Sequence, residues 1–371
     1  MKDMNKNSKI YVAGANGLVG SAIVRNMKAK GYENFVFTPY SEYDLKDQQT
    51  VKSFFEKEIP DIVFLAAAKV GGIVANNTYR AEFIYENLQI QNNIIHYSYL
   101  NGVKKLIFLG SSCIYPKNCP QPMREDYLLT SELEYTNEPY AIAKIAGIKM
   151  IESYNLQYGT NFLAVMPTNL YGLNDNFDLE KSHVLPALIR KMHLGKALNE
   201  NNFEIVKKDL NKLPIEGVNG EANQSDILNV LSKYGITDKS ITLWGSGKPH
   251  REFLHSDDLA DACVHIAENI DFATILSDKY NINKPTFPYT DSEVRNSHIN
   301  IGTGKDLSIS ELAGIIKDEV VEYKGQIIWD TNKLDGTFQK LLDVSKLHSL
   351  GWKETIDLKT GIIAMYKHYA E

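Results

Sequence analysis

Residues 9–31, KIYVAGANGLVGSAIVRNMKAKG, limit the possible folds more than any other stretch. An apolar, β-branched run leads through a short loop into a segment of helical spacing that Gly31 closes. The loop carries Gly14, Gly17 and Gly20 in the pattern GxxGxxG. Glycine permits the tight turn and lets N–H groups at a helix start approach a pyrophosphate with no Cβ in between. Three glycines alone are weak evidence, because a ligand-free turn uses them too. Their position, directly after a strand and opening a helix, is what predicts a dinucleotide site.

The same alternation continues downstream. NFVFT, DIVFLAAA and KKLIFLGSS read as strands, while QQTVKSFFEKE and AEFIYENLQIQNNIIHYSYLNG read as helices. Repeated strand–helix units imply a Rossmann-like, doubly wound parallel sheet with helices on both faces. The expected organisation is a dinucleotide-binding domain over residues 1–170 with a return segment near 240–266. A smaller α/β substrate domain occupies most of 171–371, with a helix in VLPALIRKMHLGKAL. Residues 199–239 are polar and Asn-rich, amphipathic only at SDILNVLSKYG, and read as an inserted lid or surface subdomain.

Composition narrows the partners. An apolar fraction of 43% with 23% charged residues suits a globular chain. A net charge of -6 without a Lys/Arg block argues against nucleic acid or an anionic membrane as partner. The N-terminal MKDMNKNSK lacks the apolar stretch of a signal peptide, so a cytoplasmic location is expected. Cys113, Cys119 and Cys263 have no CxxC spacing, which predicts reduced thiols and no metal site.

The adenosine end of the cofactor is read about twenty residues beyond the glycines, where an acid favours a free 2′-hydroxyl and a base a 2′-phosphate. Thr38, Pro39 and Tyr40 stand there and give neither signal. Asp44 and Leu45 are placed to flank the adenine, although an exposed loop acid is an equal reading of Asp44. The second motif is NEPYAIAK, in which Pro139 suits a helix start and Tyr140 and Lys144 share one face at i,i+4 spacing. A cation beside a phenol stabilises the phenolate, so Lys144 is expected to lower the pKa of Tyr140. In GSSCIYP, Cys113 follows two serines at a strand end. Taken alone it is a small core hydrophobe. If the strand pleat persists, Ser111 and Ser112 point to opposite sides, and Ser111 is the first choice for the site.

At this point the chain resembles the extended short-chain dehydrogenase/reductases, and within them the GDP-L-fucose synthases. The resemblance runs nearly end to end through GANGLVGSAI, LAAAKVGGIVANN, LGSSCIYP, VMPTNLYG, SHVLPAL, LWGSGKPHREFLH, HINIGTG and KLLDVSKL. It implies NADP(H) as cofactor, with NAD(H) left open, and reduction at C4 of a GDP-4-keto-6-deoxy sugar with 3,5-epimerisation. Tyr140 would protonate O4, Ser111 would hydrogen-bond it, and Lys144 would bind the nicotinamide ribose. Cys113 and His183 would carry protons at C3 and C5. The cofactor would lie along Gly14, Asn16, Gly17, Leu18, Val19, Gly20, Asp44, Leu45, Ala66, Ala67, Leu109, Ser111, Tyr140, Lys144, Pro167, Asn169, Leu170 and His183. The GDP half would meet Asn169, Lys191, Trp244, Arg251, Asp335 and Lys340. A homodimer packed through the helix bearing Tyr140 and its neighbour is implied as well.

The chain departs from many relatives in four places. LDGTFQK puts Leu334, Phe338 and Gln339 where prolines and an arginine stand, and Lys191 replaces an arginine. Asn16 stands where some NADP-using relatives carry arginine, and the polar insert separates Lys191 from Trp244. These changes leave open a plain C4 reductase acting on a related GDP-4-keto-6-deoxy sugar such as a heptose. A Cys/His hydrolase leaves the pyrophosphate loop unexplained. A non-catalytic nucleotide-binding module has no need of Ser111, Tyr140 and Lys144 together.

Overall fold

The computed structural model describes residues 4–283, 285–333 and 335–371. Along the chain the strands are β1 (Ile10–Ala13), β2 (Phe35–Val36), β3 (Ile62–Leu65), β4 (Lys105–Leu109), β5 (Phe162–Pro167), β6 (Asn169–Tyr171), β7 (Ser240–Trp244), β8 (His250–His255), β9 (Ile299–Ile301), β10 (Asp306–Ser308), β11 (Gln326–Asp330) and β12 (Gln339–Lys340). The helices needed below are α1 (Leu18–Ala29), α2 (Gln48–Glu58), α3 (Ile73–Thr78), α4 (Arg80–Leu100), α5 (Glu138–Tyr158), α6 (Val184–Asn199), α7 (Phe203–Lys212), α8 (Gln224–Lys233) and α9 (Ser256–Asn269).

The chain forms two compact units. The first comprises Met1–Leu170, Glu252–Lys305 and Leu341–Ile356; the second comprises Tyr171–Arg251, Asp306–Lys340 and Asp357–Glu371. Residues 240–266, expected to return to the first unit, are divided between the two. The stretch 240–251 belongs to the second, where β7 pairs with β11, and the first unit resumes at Glu252.

In the first unit, six parallel strands run in the order β2-β1-β3-β4-β5-β9. β1, β3, β4 and β5 are buried at every residue. That matches a parallel sheet covered on both faces and explains why these strands read as continuous apolar runs. One face packs on α1 and α9 through Ala22, Ile23, Met27, Leu259, Cys263 and Ile266. The other packs on α2, α4 and α5 through Val51, Phe55, Ile94, Ile148 and Ile151. Each of the Val, Leu, Ile, Met and Phe side chains among them contributes about 1.5–3 kcal/mol by leaving water. Polar ties register α9 against α1, with Arg25 paired to Asp257 at 2.6 Å and Lys30 to Asp261 at 2.7 Å. β1 lies between β2 and β3, so the strand order reverses there, and the crevice beyond the carboxyl ends is where such sheets bind ligands.

Two expectations change. NFVFT pairs only at Phe35 and Val36, because Thr38 turns its hydroxyl onto the Tyr11 hydroxyl at 2.9 Å and Pro39 has no N–H to continue the ladder. The polar stretch 199–239 contains two helices, α7 and α8. α7 was hidden by its polar residues, yet Val206 and Leu210 are buried and the Asn202 side chain accepts from the N–H of Ile205 to start it.

Candidate active site

In the first unit the glycine loop is shaped by two close approaches. Gly14 sits at φ +82°, and a Cβ there would meet the backbone N of Ala67 at 2.8 Å. A Cβ at Gly20 would fall on the carbonyl of Gly14, so α1 can start only where this residue has no side chain. Gly17 is the N-cap of α1 and brings no side chain to its first turn, leaving the N–H groups of Leu18 and Val19 at a bare helix start. Asn16 is exposed in the loop, and Ala66 and Ala67 follow β3 beside Gly14. This cradle fits a dinucleotide pyrophosphate. Asp44 is exposed and accepts from the N–H of Lys46, while the Leu45 carbonyl accepts from Asn93 at 3.0 Å.

β4 ends at Leu109, and the chain turns through a short 3₁₀ segment at Ser112–Ile114. The extended run reaches Ser111, and the chain turns at Ser112, so the strand pleat does not continue through both serines. Ser111 is an extended N-cap whose Oγ accepts from the N–H of Cys113 at 3.4 Å, half-exposed where Ser112 is buried. Across from it, α5 places Tyr140 and Lys144 one turn apart. Lys144 is only 3% exposed; its ammonium donates to the Leu109 carbonyl at 2.8 Å and stands 4.7 Å over the Phe108 ring. The short reach depends on Gly147, where a Cβ would meet Phe108 at 2.6 Å. The Tyr140 ring is held edge-on to Phe83, with centroids 6.3 Å apart.

Electrostatics place Cys113 beside this pair. Burial pushes the Tyr140 phenol well above its ordinary range, and the neighbouring Cys113 adds to the rise. Burial lowers Lys144 to about 8, against an opposing pull from Cys113. In the folded protein without ligands the desolvation of the phenol is the largest influence, so Tyr140 is held protonated. Pro167 ends β5, and Asn169 and Leu170 follow it, with the Asn169 amide donating to the Glu252 carbonyl at 2.9 Å.

The other expected residues belong to the second unit. His183 is the N-cap of α6; the residue reaches solvent, but protein packed around the ring desolvates the imidazole and lowers its pKa, favouring the neutral form. Lys191, two turns along α6, donates to the Thr242 carbonyl at 3.1 Å and is lowered by burial to about 8. Trp244 ends β7 and is 60% exposed, with the Lys333 ammonium 5.5 Å over its ring. Asp335 accepts from the N–H of Ser246 at 2.9 Å and from its hydroxyl at 2.6 Å, and these bonds hold its carboxyl below the usual range. Arg251 is half-buried, and Lys340 faces it in register across the parallel β8–β12 pair. Gln339 donates to Asp306 at 2.7 Å and Phe338 is exposed, while Leu334 lies outside the described residues. Among the described residues no group of His, Cys, Asp and Glu is arranged to hold a metal, and no helix is long and apolar enough to cross a membrane.

Sequence reasoning passed over Phe83, Phe108 and Gly147, which set the position of Tyr140 and Lys144. The available signal was a small residue three positions after Lys144 on the same helix.

Residues 10–212 and 215–282 match the family described as the NAD dependent epimerase/dehydratase family. The chain is 46% identical to the GDP-L-fucose synthase of Escherichia coli K12, covering 98% of this chain and 97% of that protein. A GDP-6-OMe-4-keto-L-xylo-heptose reductase from Campylobacter jejuni has a TM-score of 0.89 at 46% identity, covering 99% of this chain and 98% of that one. A GDP-mannoheptose C4 reductase from Campylobacter jejuni, solved with NADP bound, has a TM-score of 0.82 at 46% identity, covering 99% and 100%.

Proposed function

Because the chain belongs to the NAD dependent epimerase/dehydratase family, we propose that it reduces C4 of a GDP-4-keto-6-deoxy sugar with NADPH and inverts C3 and C5, yielding GDP-L-fucose or a close analogue. The observation that carries the reading is the protonated Tyr140 phenol one turn from a buried Lys144 ammonium, beside Ser111 and Cys113 at the end of β4. NADPH, when bound along the glycine loop, supplies the hydride. Tyr140 gives its proton to O4 as charge develops there, and a phenol held protonated by burial suits that acid role. Ser111 donates a hydrogen bond to the same oxygen. The Lys144 ammonium, 5.7 Å from the Tyr140 ring, favours the phenolate that Tyr140 leaves behind and is assigned to the ribose hydroxyls.

A C4 ketone acidifies the protons on C3 and C5, so inversion needs one group to remove a proton and another to return one on the opposite face. We assign these tasks to Cys113 and His183, whose neutral imidazole is the form that accepts a proton. Arg251, Lys340 and Lys191 are assigned to the diphosphate, Trp244 to the base, and Asn169 and Asp335 to substrate contacts. Incubation with GDP-4-keto-6-deoxy-mannose in D₂O, with and without NADPH, tests the assignment. Deuterium at C3 and C5 followed by a fucose product is expected; reduction without deuterium would remove the epimerase part.

The plain C4 reductase of a related GDP-sugar is the second reading, favoured by the identity to the two heptose reductases. The same incubation separates it, since only the reductase would then turn over without solvent exchange. We also propose a cytoplasmic homodimer packed through α4 and α5, which present Tyr85 and Ile142 exposed.

A further inference from the structure

The segment 199–239, expected to be an inserted lid or surface subdomain, has contacts that support a more specific role. Arg190, on α6 two turns beyond His183, is 1% exposed and sends its guanidinium into two other segments. Nε and Nη2 donate to one oxygen of Asp209 on α7 at 3.0 and 2.8 Å, and Nη2 also reaches the Leu213 carbonyl. Nη1 donates to the carbonyl of Phe177 at 3.3 Å, in the loop that leads to His183. The second Asp209 oxygen accepts from the Tyr369 hydroxyl, and the Tyr369 ring stacks on Phe177 with centroids 4.2 Å apart. A second tie joins the same loop to the other end of the insert, where the Tyr234 hydroxyl donates to Glu180 at 2.8 Å and lies 3.1 Å from Glu216. Between the ties, Asp178 closes the loop on itself by accepting from the N–H groups of Glu180 and Lys181.

We propose that the insert is a fixed brace for the His183 loop and α6, with Asp209 and Tyr234 as positioning residues acting through Arg190, Phe177 and Glu180. A buried guanidinium keeps its geometry only while its carboxylate partner is present. α7 supplies that partner, so the orientation of α6, and of His183 and Lys191 upon it, depends on a segment that carries none of the expected site residues. A displacement on the order of 1 Å is enough to cost roughly 100-fold in a positioned transfer. The inference rests on the proton-carrier reading of His183, and its test keeps the two apart.

Asp209→Asn, Tyr234→Phe and the apolar pair Arg190→Met with Asp209→Leu are compared with the intact enzyme and His183→Asn. Solvent deuterium incorporation, NADPH oxidation, KM for the keto sugar and Kd for NADPH are measured on each, with thermal melts to show folding. The expected result is a fall in deuterium incorporated per hydride of roughly 10–100-fold for Asp209→Asn and a smaller fall for Tyr234→Phe. NADPH Kd should stay within about twofold, since the glycine loop is untouched. The apolar pair should melt like the intact protein yet still exchange poorly. If the intact enzyme exchanges and all three variants exchange at its rate, the brace is overturned. If the intact enzyme does not exchange, the proton-carrier reading fails instead, and KM decides the brace through Lys191. A rise in KM supports it, and an unchanged KM refutes it.

Discussion

At the scale of single residues, Tyr140 and Lys144 show how burial sets chemistry. Replacing Tyr140 by Phe removes the acid while keeping the ring against Phe83, so NADPH oxidation should fall roughly 100- to 10,000-fold with cofactor affinity nearly unchanged. Steady-state rates and a cofactor titration check this. Lys144 loses its proton near pH 8 rather than 10.5 in the folded protein without ligands. Activity that needs the ammonium should therefore decline above about pH 8. Stability should move the opposite way. Between pH 8 and 10.5 the unfolded chain binds the proton more readily, so the cost of the buried charge shrinks as pH rises. Urea midpoints at both ends of that window, for the intact protein and Lys144→Met, read this contribution; equal pH trends in the two would contradict it.

At the scale of elements, the decisive features are places where a strand and a helix come closer than side chains allow. A methyl group at Gly20 must displace the Gly14 carbonyl, so Gly20→Ala should cost about 1–3 kcal/mol and abolish measurable NADPH binding by calorimetry. Gly147→Ala would push α5 off Phe108 and take Lys144 from the Leu109 carbonyl, lowering turnover more than cofactor affinity. The helices α1, α2, α4 and α6 followed from periodicity, but β2 stops after two residues and the pleat stops at Ser111. Both ends are decided by what the next residues bond to, Thr38 to Tyr11 and Ser111 to the N–H of Cys113, and apolar alternation does not encode those partners.

At the scale of the whole molecule, distant segments meet on single side chains. Glu252 accepts from the N–H groups of Thr303, Gly304 and Leu342 at 2.6, 2.8 and 2.9 Å, and its own carbonyl takes Asn169. Glu252→Ala would take the acceptor from three N–H groups, of which the buried one on Leu342 costs about 1–3 kcal/mol when left unpaired, so a drop in melting temperature is expected. Quaternary structure is open to the same kind of test. Ile142→Glu together with Tyr85→Glu should convert the proposed dimer to monomers in sedimentation experiments, because a charge at each exposed apolar site opposes burial.

The sequence by itself determined the alternation of strands and helices, the dinucleotide loop and the membership of its family, because each depends on residues close together in the chain whose spacing reports local geometry. It also carried Tyr140 and Lys144, whose i,i+4 spacing puts them on one helical face wherever that helix lies. The sign of the Tyr140 shift was decided only by the tertiary structure, because desolvation depends on what surrounds the phenol rather than on the neighbour in the motif. The polar insert likewise acquired a core and a buried carboxylate only once Asp209 met Arg190 and Tyr369, partners 19 and 160 residues away. No local pattern records a pairing at that separation, since its stability comes from burial that the whole fold provides.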